Sequence, residues 1–228
     1  MSITGLDFLQ KRTVRTLALG QILSGFGLGS TLSIGALLAA ELSGTVAWSG
    51  AAATFSTLGT AIWAIPLSRI AFAKGRRYSL GLGAALAITG ATLIITATSL
   101  KLFPLLLVAL FFMGAGSAAS LQARFAATDI PVDKKVGKDL SLVVWATTIG
   151  AVTGPNLFGP GEAVGQWLGL PELTGPFVFT IIAQMSATAV FWFGLRPDPL
   201  LVARQIDAQN VKVRKKLSIA SAFSTLAK

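Results

Sequence analysis

The sequence of 228 residues predicts an all-α membrane protein with six transmembrane helices. Three observations carry that prediction. Apolar residues make up 53% of the chain and charged residues only 12%, about half the charged share of a soluble domain. Uncharged apolar runs near the length needed to cross a bilayer, about 20 residues, recur along the chain. The basic residues gather in alternate connections between those runs, as positive charge does on the cytoplasmic side of membrane proteins.

The first expected span covers residues 17–40, with no charge from Leu17 to Ala40. Lys11, Arg12 and Arg15 precede it, so a signal peptide is the rival reading. A signal h-region is only about 7–15 residues long, and this run is longer, so an uncleaved first helix is expected. The second span covers 46–68 and the third 78–98. The fourth, 102–123, is separated from the third by little more than Lys101. The fifth, 140–158, is the shortest and the richest in Gly and Pro. The sixth covers 176–195 and stops before Arg196, Pro197 and Pro199, because proline cannot continue a helix. Soluble core helices would alternate a polar face with an apolar one, and these runs do not.

With the N-terminus in the cytoplasm, 18 of the 19 Lys and Arg fall in cytoplasmic segments, and only Lys101 lies outside. Residues 1–16 are then a cytoplasmic N-terminus and 17–196 the transmembrane domain. Residues 197–228 form a basic cytoplasmic tail or central linker, either a helix on the membrane surface or a solvated segment. The expected location is the cell (plasma) membrane, multi-pass, with both termini cytoplasmic. The net charge of +10 is accounted for by this leaflet bias and anionic lipid, so nucleic acid is not an expected partner. The lipid bilayer is.

The chain has no Cys and no His. That excludes a disulfide scaffold, Cys/His metal sites and His-dependent triads. No enzyme activity, cofactor or metal is expected.

Two stretches carry a more specific signal. In the connection from Ser68 to Leu80, Gly75 suits a tight turn. Arg76 and Arg77 can cap helix carbonyls, bind lipid phosphates or pair with an acid on a neighbouring helix. In the fifth span, Gly150 and Gly154 lie four apart on one helix face, where another backbone can approach closely. Pro155 bends the helix there, and Gly159 follows. In order and position these stretches resemble those of the major facilitator superfamily (MFS) of transporters.

The connection is similar to that family's Gly-x-Leu-Ala-Asp-Arg-x-Gly-Arg-Arg signature through Ile70, Ala71, Gly75, Arg76 and Arg77. The fifth span resembles its antiporter signature through Gly150, Gly154, Pro155 and Gly159, and Gly114 with Gly116 resembles its fourth-helix motif. Five positions depart: Ser68 stands for the first Gly, Phe72 for the Asp, Ala73 for the first Arg, Phe158 for a Gly of the antiporter signature, and no Arg falls near Leu110.

The resemblance implies half of an MFS fold, the N-terminal six helices, built as two inverted three-helix repeats, closest to drug:proton antiporters. It implies a second six-helix half in the same chain, a partner chain or a homodimer. It also implies alternating access for a small-molecule substrate, with protons as a possible coupling ion and efflux as the direction. The loop of Gly75, Arg76 and Arg77 would be a cytoplasmic gate. The absent Asp would cost that gate its usual charge partner; Arg124 either snorkels to lipid headgroups or pairs with Asp129 or another acid to hold the gate. Spans one and four would face the cavity. Gln21, Ser24, Thr31, Ser117 and Ser120 are therefore substrate-contact candidates, joined by Asn156, the polar residue after the Gly-Pro of the fifth span, and a mostly apolar solute is expected. No span contains an acidic residue, although membrane proton relays normally use Asp, Glu or His. A non-transporting accessory or assembly subunit is the alternative.

Overall fold

The computed structural model describes residues 3–130 and 136–209. It is helical throughout, with α1 over Ile3–Ser43, a 3-10 turn over Val46–Trp48, α2 over Ala51–Lys74, α3 over Arg76–Ser99 and α4 over Phe103–Ala126. Then come α5 over Val136–Asn156, α6 over Phe158–Trp167 and α7 over Gly175–Gly194. A further helix, α8, covers residues 199–209. The part of the expected basic tail beyond 209 lies outside the described residues.

Five stretches are long and apolar enough to cross a membrane, and α5 with α6 supplies a sixth as one broken span. The break is a 55° bend just after Pro155, where a kink was expected. Pro155 and Pro160 have no N–H, so the carbonyls of Ala151 and Asn156 lose their intrahelical donors. The N-terminus differs from expectation. Helix α1 starts at Ile3 and is 41 residues long, so residues expected as a separate cytoplasmic segment continue the first span without a break.

Helix pairing shows the repeat. Helix α1 packs on α5 as α2 packs on α4, and α3 packs on α4 as α7 packs on α1. Exchanging the first three spans for the last three turns each of these pairs into its counterpart. The close approaches give the directions. Gly25 faces Gly150 and Gly29 faces Gly154, so α1 and α5 run parallel; Gly83 meets Ala119 and Gly90 meets Met113, so α3 and α4 run antiparallel. Three alternating helices per repeat invert the second repeat relative to the first.

Small residues set the packing. Lipid tails are as apolar as leucine, so helices associate in a bilayer through close packing rather than burial alone. One apolar cluster, with Ile34, Leu38, Ile94, Leu106, Leu110 and Phe177, fills one end of the bundle. Another, with Val14, Leu17, Leu80, Val143, Phe191 and Leu195, fills the other. Between them lies a belt of Gly, Ser, Thr and Gln.

Candidate functional site

That belt surrounds a cavity of about 270 Å³. Helix α1 contributes Ser24, Gly25, Gly27, Thr31 and Leu32, and α2 contributes Ala53, Ser56, Thr57 and Thr60. From α4 come Met113, Gly116, Ser117 and Ser120, with Thr147 from α5 and Gln184 from α7. No lining residue is charged. Several hydroxyls are turned back on their own helices: Thr31 donates to Gly27 O (2.7 Å), Thr60 to Ser56 O (2.8 Å) and Thr147 to Val143 O (3.3 Å). This i−4 bond is how a Thr satisfies its proton inside an apolar helix.

Two glutamines brace the floor. Gln21 Nε2 donates to Ser120 O at 2.9 Å and Gln184 Nε2 donates to Ser24 O at 3.4 Å. Both side chains are buried, at 0% and 2% exposure, and both amide oxygens lack a partner.

The basic end of the bundle is tied by charge. Arg76 Nε and Nη2 donate to the two oxygens of Asp129 at 2.8 and 3.0 Å. The two side chains are only 13% and 10% exposed. Asp129 was one of the acids open to Arg124. Instead the turn at Gly75 starts α3 beside the end of α4, which brings Arg76 to it, and Arg124 Nε is left without a partner. The acid missing near Phe72 is thus replaced from other elements.

A further carboxylate, Asp198, stands after α7. Its Oδ2 accepts from Arg77 N (2.8 Å), and its Oδ1 accepts from Leu200 N (3.1 Å). One side chain thereby caps the N-termini of both α3 and α8. Gly75 makes room for it. Its φ is +100°, and a Cβ there would sit 2.5 Å from Asp198 Oδ2. Arg204 on α8 donates to Phe72 O at the end of α2 and stacks on the Phe72 ring, 4.9 Å from its centroid. Arg77 donates to the Tyr78 hydroxyl (2.8 Å) and lies over the Tyr78 ring. Asp198→Ala is expected to destabilise the chain by about 2 kcal/mol, since two helix starts lose an acceptor. Amide hydrogen exchange should quicken at Arg77 and Leu200, whereas Asp198→Asn should keep protection at only one of the two, because it retains one acceptor oxygen and its NH2 cannot accept.

Comparison with known proteins decides the family. The Major Facilitator Superfamily profile matches residues 17–227. The chain belongs to the Major Facilitator Superfamily. It is 37% identical over 217 residues to the uncharacterized MFS-type transporter YdeG of Bacillus subtilis (strain 168), covering 95% of this chain and 50% of that one. It is 36% identical over 198 residues to the uncharacterized MFS-type transporter YddS of the same organism, covering 87% and 45%. The chain spans about half the length of these curated relatives. No solved structure matches it with significance.

Within this MFS half, Ser24, Thr31, Ser117 and Ser120 come together at the cavity, and Gln21 lies behind Ser120. Asn156 does not join them. It is exposed, and its Nδ2 donates to Val152 O at 2.7 Å. Residue 156 lies about 200° round the helix from Gly154, which faces α1. Gly75, Arg76 and Arg77 sit together at the basic end.

Gly150 and Gly154 face α1, where a Cβ on Gly154 would lie 2.9 Å from Phe26 O. Gly159 faces open space. The carbonyl of Ala151, freed by Pro155, would lie 2.7 Å from a Cβ on Gly29. Sequence reasoning missed the α2 contribution of Ser56, Thr57 and Thr60. Their grouping on one side of an otherwise apolar span was the available signal.

Proposed function

We propose that this chain forms one six-helix wall of an alternating-access pathway for a small, mostly apolar solute, moved outward across the plasma membrane. The carrying observation is the uncharged cavity between α1, α2 and α4, placed midway between the two apolar clusters. Its open polar groups are neutral hydroxyls and amides, which suit neither a phosphate ester nor a carboxylate. Efflux is supported by the antiporter-like run from Gly150 to Gly159. The basic end, with Arg76 and Arg77, would face the cytoplasm and hold the gate. A second six-helix half would close the cavity from the other side.

The test uses the purified chain in nanodiscs and in vesicles. N-phenyl-1-naphthylamine, a neutral dye sized for the cavity, is expected to bind above the level of empty nanodiscs and to leave loaded vesicles faster. Ser117→Trp, which fills the cavity, is expected to abolish both. Binding that survives Ser117→Trp overturns the cavity assignment. Binding blocked by Ser117→Trp, with dye release no faster than from empty vesicles, is the result of either a half that awaits its second six helices or the accessory-subunit reading. The absence of any acid from the cavity lining is the observation on that side.

A further inference from the structure

We infer that the outer face of α1, at the basic end of the bundle, holds an anionic phospholipid gripped at its phosphate by Lys11, Arg12 and Arg15. A groove of about 420 Å³ runs along the helix there, lined by Phe8, Lys11, Arg12, Arg15 and Thr16. Steps of three or four residues link these positions, which puts them on one side of an α-helix. Gly194 at the end of α7 lies against Thr16 and flanks the groove.

The three cations differ from their neighbours in what they lack. Elsewhere at this end the protein supplies partners: Asp129 for Arg76, the Tyr78 hydroxyl for Arg77, Trp192 O for Arg196 and Phe72 O for Arg204. Lys11, Arg12 and Arg15 are exposed, and their side chains make no hydrogen bond or ion pair among the described residues. Asp7, one turn earlier, pairs with none of them, and Asp139 takes its hydrogen bond from Gln10 instead. Lys11 and Arg12 each sit one turn from Arg15, and like charges at that spacing destabilise a helix. A phosphate among them removes that cost, and a guanidinium fork matches its oxygens.

Position selects a lipid over a soluble phosphate. The groove stands just ahead of the uncharged run from Leu17 to Ala40, at the depth of a headgroup. The next residue along the same side, Leu19, is 49% exposed. An acyl chain laid along α1 from the groove covers that apolar surface, whereas a free anion leaves it bare. A second half that closes the cavity would leave this face open. Arg15 lies about 180° round the helix from the cavity-lining Ser24, so the groove is on the far side of α1 from the cavity.

The experiment separates a site from the attraction of any surface cation to anionic lipid. The purified chain in neutral detergent is titrated with dioleoylphosphatidylglycerol or dioleoylphosphatidylcholine, and bound lipid is counted by native mass spectrometry. The first phosphatidylglycerol is expected to bind about tenfold tighter than phosphatidylcholine. Arg12→Gln with Arg15→Gln is expected to cut that ratio to about twofold or less. Arg69→Gln with Lys74→Gln removes the same charge from exposed cations at the same end and is expected to keep the ratio. Arg12→Lys with Arg15→Lys keeps the charge and is expected to keep the preference, which separates lost binding from a failure to fold. Equal binding of the two lipids to the parent chain overturns the inference. So does a ratio that survives Arg12→Gln with Arg15→Gln, falls equally in the Arg69 and Lys74 variant, or is lost in the lysine variant. Displacement of the lipid by millimolar glycerol phosphate assigns the groove to a soluble anion and overturns it too.

Discussion

Gly150→Val is expected to abolish the folded, monodisperse form of this chain in detergent. A Cβ at Gly150 would overlap the Ile22 carbonyl of α1, and one at Gly25 would lie 2.7 Å from the Gly150 Cα. The clash is backbone on backbone, so no rotamer relieves it. Overpacking a well-filled contact commonly costs about 1–3 kcal/mol. Here the whole α1–α5 crossing must separate, so the loss should sit at or above the top of that range. Gly150→Ala should fall near 3 kcal/mol. Gly159→Ala is the control, since nothing lies within 4 Å of its added carbon, and it should leave melting unchanged. Fluorescence-detected size exclusion after heating reads all three. A Gly150→Val chain that melts like the parent would remove the glycine crossing as the basis of this fold.

The next largest effect is expected at Arg76. Arg76→Ala leaves the Asp129 carboxylate largely buried without its cation, and breaking such a pair costs about 3 kcal/mol. Asp129→Ala should cost a similar amount. The double variant should recover much of the loss, because a buried ion pair replaced as a unit is close to neutral. An SDS titration of the four chains gives the coupling directly, and simple additivity would mean that the two residues do not act as a pair. Arg69→Ala, at an exposed cation on the same end, should stay within about 0.5 kcal/mol of the parent.

These two sites also show what a single sequence discloses. Gly150 and Gly154 were legible because a spacing of four puts two missing side chains on one helix face. Their partners Gly25 and Gly29 carry the same spacing, yet nothing local says which helix will meet which. That information is in the repeat, where the first span of one repeat packs on the second span of the other.

Arg76 was legible as a cation in a short loop. Its acid lies 53 residues away in sequence, and Arg124 was the nearer candidate. The Gly75 turn decides between them, and its effect is three-dimensional. The spans themselves were legible because uncharged length is a one-dimensional property. The bend after Asn156 was less so. Pro155 was read as a kink, but Pro160 removes another donor five residues on, and the two together end one helix and start another. For the cavity, polar residues on spans one and four were legible as costly groups in lipid. Asn156 was misplaced because distance along the chain from a motif says nothing about the direction a side chain takes round the helix.

The length of α1 has a mechanical consequence. At 41 residues it is about 60 Å long, against a hydrocarbon layer of about 30 Å. Its crossing with α5, at Gly25 to Gly29, lies close to the midpoint of the rod. The helix is therefore a balanced beam resting on a smooth glycine fulcrum. A tilt of about 10° there carries the Gln10 end and the Ser43 end about 4 Å in opposite senses. Gln10 is tied to Ala127 O and Asp139 at 2.8 Å each, so loosening those ties at one face of the membrane is felt, with reversed sign, at the other.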